Sequence, residues 1–310
     1  MFTAGKPPDF SIAAEDSRPP LRSPPAKEPS NQLDITHTAS SVHLLGLFYS
    51  YFFPAHPFVL PRGHLSDKFN KNECPQLQAV VEYLGACHDP MARKTDYLEM
   101  VNRRLFVTPP PQNPYTVQAL LLFAIDAHAN HEKDRALDMV RRGIRLALDL
   151  GMHSSVFATT HGFGDVVIEE CWRRTFWELY IIERVLAADS RASESILITR
   201  TPIAVPLPCE ESEYLTGNIY KHQTFEDFEN RAFLGDDITF SSYAYRIDAA
   251  RILASTLRLA ANPPPDETTI EKIDHELGQW CLYLPDTKRT LVSKDGIYDE
   301  VLFHAHALTF

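Results

Sequence analysis

Three groups of residues have types and spacings that could carry chemistry. His128, His131 and Glu132 stand at positions i, i+3 and i+4, which would place three metal ligands on one helix face. They fall in a polar break at a helix end, so the solvent-exposed end of a helix is an equally good interpretation of these three residues. Asp236-Asp237 is similar to a magnesium-binding acidic motif, but no second acidic motif follows at a matching spacing, so we interpret it as an acidic loop. Gly162-Phe-Gly164 is a lone G-x-G without a preceding strand and predicts a loop.

Cysteine, histidine and arginine residues elsewhere give no stronger signal. The five cysteines (74, 87, 171, 209 and 281) are widely spaced without a C-x-x-C, which predicts buried or inert thiols rather than a zinc site or disulfide framework. His304 and His306 fall on different sides of a helix. The arginine pairs at 103–104, 141–142 and 173–174 are isolated, and none is interleaved with aromatic residues. The residues therefore favour a binding or regulatory protein over an enzyme.

Helices are the elements that would position these residues. Hydrophobic periodicity from about Ser40 onward predicts an all-α fold, a multi-helix bundle or irregular helical array. Residues 117–125 are apolar on most sides and predict a buried helix, whereas residues 135–150 are amphipathic. Gly151 follows as a left-handed C-terminal cap. A third helix is predicted over residues 166–188.

The third predicted helix carries two ion pairs and three large aromatic side chains. Glu169 with Arg173, and Glu170 with Arg174, have the favourable i,i+4 order, which we expect to add about a few tenths of a kcal/mol per pair. The aromatic residues Trp172, Phe176 and Trp177 supply buried area against the second helix.

The rest of the chain continues this helical pattern after one interruption. Residues 196–208 are punctuated by prolines and predict an extended segment. Further helices are predicted over residues 243–261, from Thr268 or Thr269 to Cys281, and from Val301 to the last residue.

Composition limits the possible functions. The chain has 310 residues and a net charge of −11, which argues against broad, charge-driven binding to nucleic acid or an anionic membrane. Seven prolines and balanced charges in the first thirty residues predict a disordered leader, residues 1–38, before a folded domain, residues 39–310. About half of the net charge lies between Cys209 and Asp237. The longest apolar run, residues 42–53, is too short to span a bilayer, and no signal peptide precedes it, so we expect a soluble intracellular protein.

Several blocks of the sequence resemble a known family. They are Thr116-Val-Gln-Ala-Leu-Leu-Leu122, Arg142-Gly-Ile-Arg-Leu-Ala-Leu-Asp-Leu-Gly-Met-His153 and Glu169-Glu-Cys-Trp-Arg-Arg-Thr-Phe-Trp-Glu-Leu-Tyr-Ile-Ile-Glu-Arg184. In this order they resemble the middle homology region of fungal zinc-cluster transcription factors, also described as the xylanolytic activator regulatory domain. Tyr51-Phe-Phe-Pro54 and the stretch from Trp280 to Pro285 are also similar to that family.

Individual positions match the signature of this family. They are Arg145, Gly151, His153, Arg173, Arg174, Phe176, Trp177, Tyr180, Arg184, Pro206 and Pro208. The three arginines of the third block have acids one turn away or adjacent, so we expect them to tie helices together or to cap carbonyls, with ligand binding as the alternative.

The sequence also departs from the family pattern. The family reads DNA with a short N-terminal module of closely spaced cysteines that holds zinc, but the first cysteine here is Cys74, so we expect neither that module nor a cofactor in this chain. Ser190-Arg-Ala192 replaces a glycine-arginine-proline turn, and Glu183 stands where the family usually has aspartate. Family members usually continue beyond the position of Phe310, so we expect the domain to be truncated at its C-terminus.

The resemblance implies a nuclear regulatory domain that acts on RNA polymerase II transcription, for example of a metabolic or secondary-metabolic pathway, and is not an enzyme. Expected partners are a full-length transcription factor or a second copy of the chain, and a small-molecule effector. No sequence-specific DNA contact by this chain and no membrane partner are expected. Two alternatives remain open: a stand-alone module that binds a protein or metabolite, and a helical biosynthetic enzyme that uses His128, His131 and Glu132.

Overall fold

The computed structural model describes residues 31–190, 203–220, 222–233, 239–261, 267–292 and 296–309. The chain divides into two units, Met1–Thr38 and Ala39–Phe310, and the core described below lies in the second. The predicted leader up to residue 30, the extended segment over residues 196–202, residues 191–192 of the substituted turn and Asp236-Asp237 fall outside the described residues.

Fourteen α-helices and no β-strand form the described part of the chain, which confirms the all-α prediction. In chain order the helices are α1 (Asn31–Tyr51), α2 (Arg62–Asn70), α3 (Pro75–Ala86), α4 (Lys94–Asn102), α5 (Pro114–Ala129), α6 (Lys133–Asp149), α7 (Phe157–Gly162), α8 (Val166–Ser190), α9 (Glu211–Thr216), α10 (Phe225–Glu229), α11 (Ser242–Ala261), α12 (Glu267–Leu282), α13 (Asp286–Arg289) and α14 (Glu300–Ala307). A π-helical turn, Arg103–Val107, continues α4, and a 3-10 turn, Arg231–Phe233, follows α10.

Three predicted helices correspond to α5, α6 and α8. Asn113 caps α5 by accepting a hydrogen bond from the Thr116 N–H, and Pro114 occupies the first turn, where no donor is needed. Gly151 has a φ of +79°, which confirms it as the left-handed residue after α6. The final predicted helix ends earlier than expected, because α14 stops at Ala307.

Helix α8 lies at the centre of the core and packs against α5, α6, α7 and α11. Its aromatic residues Trp172, Phe176 and Trp177 are buried, as the periodicity predicts. The two ion pairs predicted within α8 form, between Glu169 and Arg173 and between Glu170 and Arg174, each at 2.9 Å. Arg173 and Arg174 are both buried, so breaking either pair would leave an uncompensated charge inside the protein.

Helix α3 approaches α1 closely at a glycine. A Cβ atom on Gly85 would lie 2.2 Å from the carbonyl oxygen of Leu44, so only glycine permits this helix contact. None of the helices within the described residues is both long and apolar enough to cross a membrane.

Candidate functional site

An extended segment, residues 203–209, lies across α8 and is named here the proline segment. The indole Nε1 of Trp177 donates to the Pro206 carbonyl at 2.9 Å. Arg174 Nη2 donates to the Cys209 carbonyl at 2.8 Å, and the Cys209 N–H donates to Glu170 Oε1 at 2.9 Å. Prolines lack an N–H and are excluded from helix interiors, so this segment stays extended and its carbonyls are available to side chains of α8.

The same segment is also held from other parts of the domain. The Ala204 N–H donates to the His153 carbonyl at 3.1 Å, which ties the segment to the loop after α6. The Ser241 hydroxyl donates to the Pro208 carbonyl at 2.7 Å, just before α11 begins. The proline segment therefore connects α8 with residues beside α6 and α11 through backbone groups, and Val205 and Leu207 are also buried in the hydrophobic core.

Arg174 is the central residue of this contact. Its guanidinium is almost fully buried and donates from Nε to Glu170 Oε1 at 2.9 Å and from Nη1 to the Pro57 carbonyl at 3.0 Å. It also lies over the ring of Tyr214, 4.2 Å from the centroid. Burial alone would lower the pKa of Arg174, but the Glu170 carboxylate raises it above its usual value. The side chain is thus a permanent cation that binds two carbonyls and one carboxylate.

Glu178 lies one turn further along α8, and its carboxylate contacts a second group of charged and polar side chains. Its two carboxylate oxygens accept hydrogen bonds from both Nη atoms of Arg246, each at 3.0 Å. His56 Nδ1 lies 2.7 Å from the same carboxylate, and the Tyr243 hydroxyl donates to it. Burial alone would raise the pKa of Glu178, but Arg246 and His56 lower it to about 2. Glu178 therefore carries a negative charge in the interior.

His304 on α14, which is half-buried, lies beside this group. Its ring centroid lies 5.5 Å from that of His56. Burial, together with the positive charge of Arg246 and the neighbouring His56, lowers the pKa of His304 to about 3. His304 is therefore neutral at physiological pH.

The structure brings together part of the predicted signature. His153, Arg174, Trp177, Pro206 and Pro208 meet at the proline segment, although they come from distant parts of the sequence.

The remaining signature residues lie elsewhere. Arg173 pairs with Glu169 at 2.9 Å, and Phe176 is fully buried in the core. Arg184 lies over the ring of Tyr180, 3.2 Å from the centroid, and donates to the Tyr180 carbonyl. Arg145 is exposed on α6, and Gly151 adopts the left-handed conformation in the turn after that helix.

Sequence reasoning missed the second charged group. Glu178, His56, Tyr243 and Arg246 were not predicted as site residues, although Glu178 follows Glu170 and Arg174 at successive i+4 positions on α8. A charged residue repeating on one face of an otherwise apolar helix is a signal that could have found it.

In the described residues, no three or more histidine, cysteine, aspartate or glutamate side chains come close enough together to hold a metal ion. Helix α5 ends at Ala129, and His131 has a φ of +63°, so the backbone leaves the helix before the predicted i, i+3, i+4 face can form. The five cysteines are free thiols at separate places, which does not fit a zinc cluster. Cys74 and Cys171 are buried, as predicted, and burial raises the pKa of each to about 12, which disfavours the thiolate. Cys281 is exposed.

Comparison with known sequences gives the family. The model of the fungal specific transcription factor domain matches residues 47–282, a range that contains the proline segment, Arg174, Glu178 and Arg246. The chain belongs to this fungal transcription factor domain family. The resemblance found in the sequence blocks is thereby confirmed.

One curated relative is the C6 finger domain transcription factor iacK of Pestalotiopsis fici (strain W106-1 / CGMCC3.15140). It is 32% identical to this chain over 259 residues, which is 83% of the chain. The match covers 38% of the relative, so the chain spans well under half the length of that protein. No solved structure matches the chain.

Proposed function

We propose that this domain regulates RNA polymerase II transcription in the nucleus, as the signal-receiving part of a fungal-type transcription regulator for a metabolic or biosynthetic pathway. The observation that carries this proposal is the family match over residues 47–282, which spans the helical core rather than one short motif. The buried charges of α8 support it, because they hold four parts of the domain in one arrangement that a bound effector or partner could stabilise or disturb.

We propose further that residues 1–310 do not themselves read a DNA sequence. The net charge of −11 and the separate positions of the five cysteines support this, since a DNA reader of the C6 type needs clustered cysteines and a basic surface. Sequence recognition would then belong to another module or to a partner, such as a full-length transcription factor that pairs with this domain. A small-molecule effector is the second kind of partner that this proposal includes.

A tethered reporter tests the regulatory role. Residues 1–310 are inserted between a heterologous DNA-binding domain and an activation region, and reporter transcription is compared with the same fusion lacking the insert. We expect the folded domain to change the output, and an Arg174→Ala variant with a disrupted α8 contact to restore it toward that of the fusion without the insert. Immunoblots confirm equal amounts of each fusion. Equal output from all three fusions contradicts the proposal.

The alternative of a helical enzyme has no supporting observation in the described residues. The chain's family and its curated relative are transcription factors, and the three residues that suggested a metal site do not share a helix face.

A further inference from the structure

The π-helical turn after α4 exposes an unusual set of apolar side chains. The Thr108 N–H donates to the Arg103 carbonyl at 3.0 Å, which closes the wide turn, and Leu105 is buried beneath it. On the outer side, Phe106 and Val107 are 36% and 76% exposed. Met100, one turn earlier on α4, is 41% exposed. π-Helical turns are rare and recur at functional sites. Exposed apolar side chains that lie together often mark an interaction site.

Arginines of α6 lie beside this turn. The Arg142 guanidinium lies 5.2 Å from the ring centroid of Phe106. The Phe106 ring is 6.1 Å from that of Phe123, over which Arg135 lies at 4.5 Å. The arginine pairs are not interleaved with aromatic residues along the sequence. In the fold, however, two arginines of α6, Arg135 and Arg142, lie over the rings of Phe123 and Phe106.

The local charge differs in sign from that of the whole chain. Residues 93–107 and 133–149 together contain nine lysines and arginines against five acids, in a chain of net charge −11. Residues 139–148 of α6 contain three arginines and no acid. A positive area on a negative protein attracts an acidic partner to this face while the remaining surface repels it.

The surface is better suited to a protein segment than to nucleic acid. Acids are interspersed among the basic residues: Glu99 pairs with Arg103 at 3.2 Å, and Glu132 pairs with Arg135 at 2.8 Å. A phosphate backbone requires a continuous basic track, which these carboxylates interrupt. The exposed apolar side chains require apolar contacts, which a phosphate backbone does not offer.

We propose that this surface binds an acidic protein segment that carries aromatic or aliphatic side chains. It consists of Met100, Arg103, Arg104, Phe106, Val107 and Arg142, and is named here the arginine–aromatic surface. The arginines would donate to the carboxylates of the segment, and Phe106 with Val107 and Met100 would contact its apolar side chains. Nothing in this inference depends on whether the domain regulates transcription.

Fluorescence anisotropy with the purified chain tests the inference. The probe is a fluorescein-labelled synthetic peptide of alternating acidic and apolar residues, built from Glu, Asp, Phe and Leu. We expect saturable binding that weakens as salt is added, because exposed ion pairs are screened. Two control peptides separate the contributions: one replaces Phe and Leu with Ala, and the other replaces Glu and Asp with Lys. Both should bind at least about tenfold more weakly.

Two exposed substitutions locate the site. Arg104→Glu reverses a charge and Val107→Ser removes apolar area, and each should weaken binding of the acidic peptide by about tenfold. Lys272→Glu, on the exposed face of α12, reverses a charge outside the surface and should leave binding unchanged. Far-ultraviolet circular dichroism and melting curves confirm that all three variants fold.

Several results would overturn the inference. They are an absence of peptide binding to the wild-type chain, equal binding by the Arg104→Glu and Lys272→Glu variants, and equal binding of the Ala-substituted peptide. A random-sequence DNA duplex serves as a competitor. If the duplex binds through Arg104 and the acidic peptide does not bind, the surface is a nucleic-acid site and the proposal fails.

Discussion

Arg246 and Glu178 form a bidentate ion pair inside the protein, with each of the two Nη–carboxylate distances at 3.0 Å. Arg246 is 2% exposed, and the Glu178 side chain is fully buried. Because Arg246 also donates to the Ala55 carbonyl and His56 contacts the same carboxylate, the pair connects α8, α11 and the segment between α1 and α2. The charge of Glu178 is therefore a structural link between elements that are distant in the sequence.

Removing the cation should destabilise the domain strongly. Arg246→Ala leaves Glu178 buried without its main partner, and we expect the free energy of unfolding to fall by about 3–5 kcal/mol. Urea denaturation followed by circular dichroism measures the change. The double variant Arg246→Met with Glu178→Leu removes both charges and should lose less than the single variant.

An exposed pair provides the control for this prediction. Arg103 and Glu99 lie 3.2 Å apart on the surface of α4 and the turn after it, and Arg103→Ala should change the free energy of unfolding by less than about 1 kcal/mol. If Arg246→Ala costs no more than Arg103→Ala, the buried pair does not link the elements as described.

His304 should make the domain sensitive to acid. Its pKa is about 3 in the folded protein, against 6.5 when unperturbed, so the unfolded chain binds the extra proton in this interval. Stability is then fully present above pH 6.5 and is lost as the pH falls toward 3. His304→Gln should flatten the dependence of the urea midpoint on pH in this window. An unchanged slope in the variant would contradict the assignment.

Glu211 should act in the opposite direction. Burial and the carboxylates of Asp299, Glu210 and Glu300 raise its pKa to about 7, although Arg174 lowers it. The folded state therefore holds a proton that the unfolded chain releases above about pH 4.5, so stability falls as the pH rises from 4.5 through 7. Glu211→Gln should remove this loss, which thermal melting at pH 5 and pH 8 would detect as a smaller difference than in the wild type.

Two glycine substitutions should have opposite effects on stability. Gly85→Ala places a Cβ atom 2.2 Å from the Leu44 carbonyl oxygen, and we expect a loss of about 1–3 kcal/mol from forced separation of α1 and α3. Gly278→Ala, on the exposed face of α12 with no atom within 4 Å of the new Cβ, should stabilise by about 0.5–1 kcal/mol. Calorimetric melting separates the two, and a stabilising Gly85→Ala would contradict the close approach.

The long helices could be predicted from the sequence because each repeats its apolar pattern over several turns. Helices α5, α6 and α8 show this most clearly. Helices α9 and α10, of six and five residues, are too short to repeat the apolar period of 3.6 residues. Each begins with a capping box, which in α10 joins Thr224 and Asp227. The π-helical turn over Arg103–Val107 has no sequence signature that distinguishes it from an α-helical turn.

The candidate site was predictable only in part. The family resemblance indicated Arg174 and Trp177 and the prolines they hold, but it could not show that these residues meet His153 through backbone hydrogen bonds. Glu178 and Arg246 are 68 positions apart, and no periodicity relates residues on different helices. The same limit applies to Arg142 and Phe106, which lie on different elements, α6 and the π-helical turn.

Selection from a randomised DNA library tests most directly whether this domain regulates without reading DNA. Purified residues 1–310 and the same chain fused to a known sequence-specific DNA-binding domain are each incubated with the library at physiological salt, and the bound duplexes are sequenced. We predict that the chain alone enriches no motif, while the fusion enriches only the motif of its attached reader. A motif enriched by the chain alone, with binding lost when that motif is mutated, would contradict the central claim.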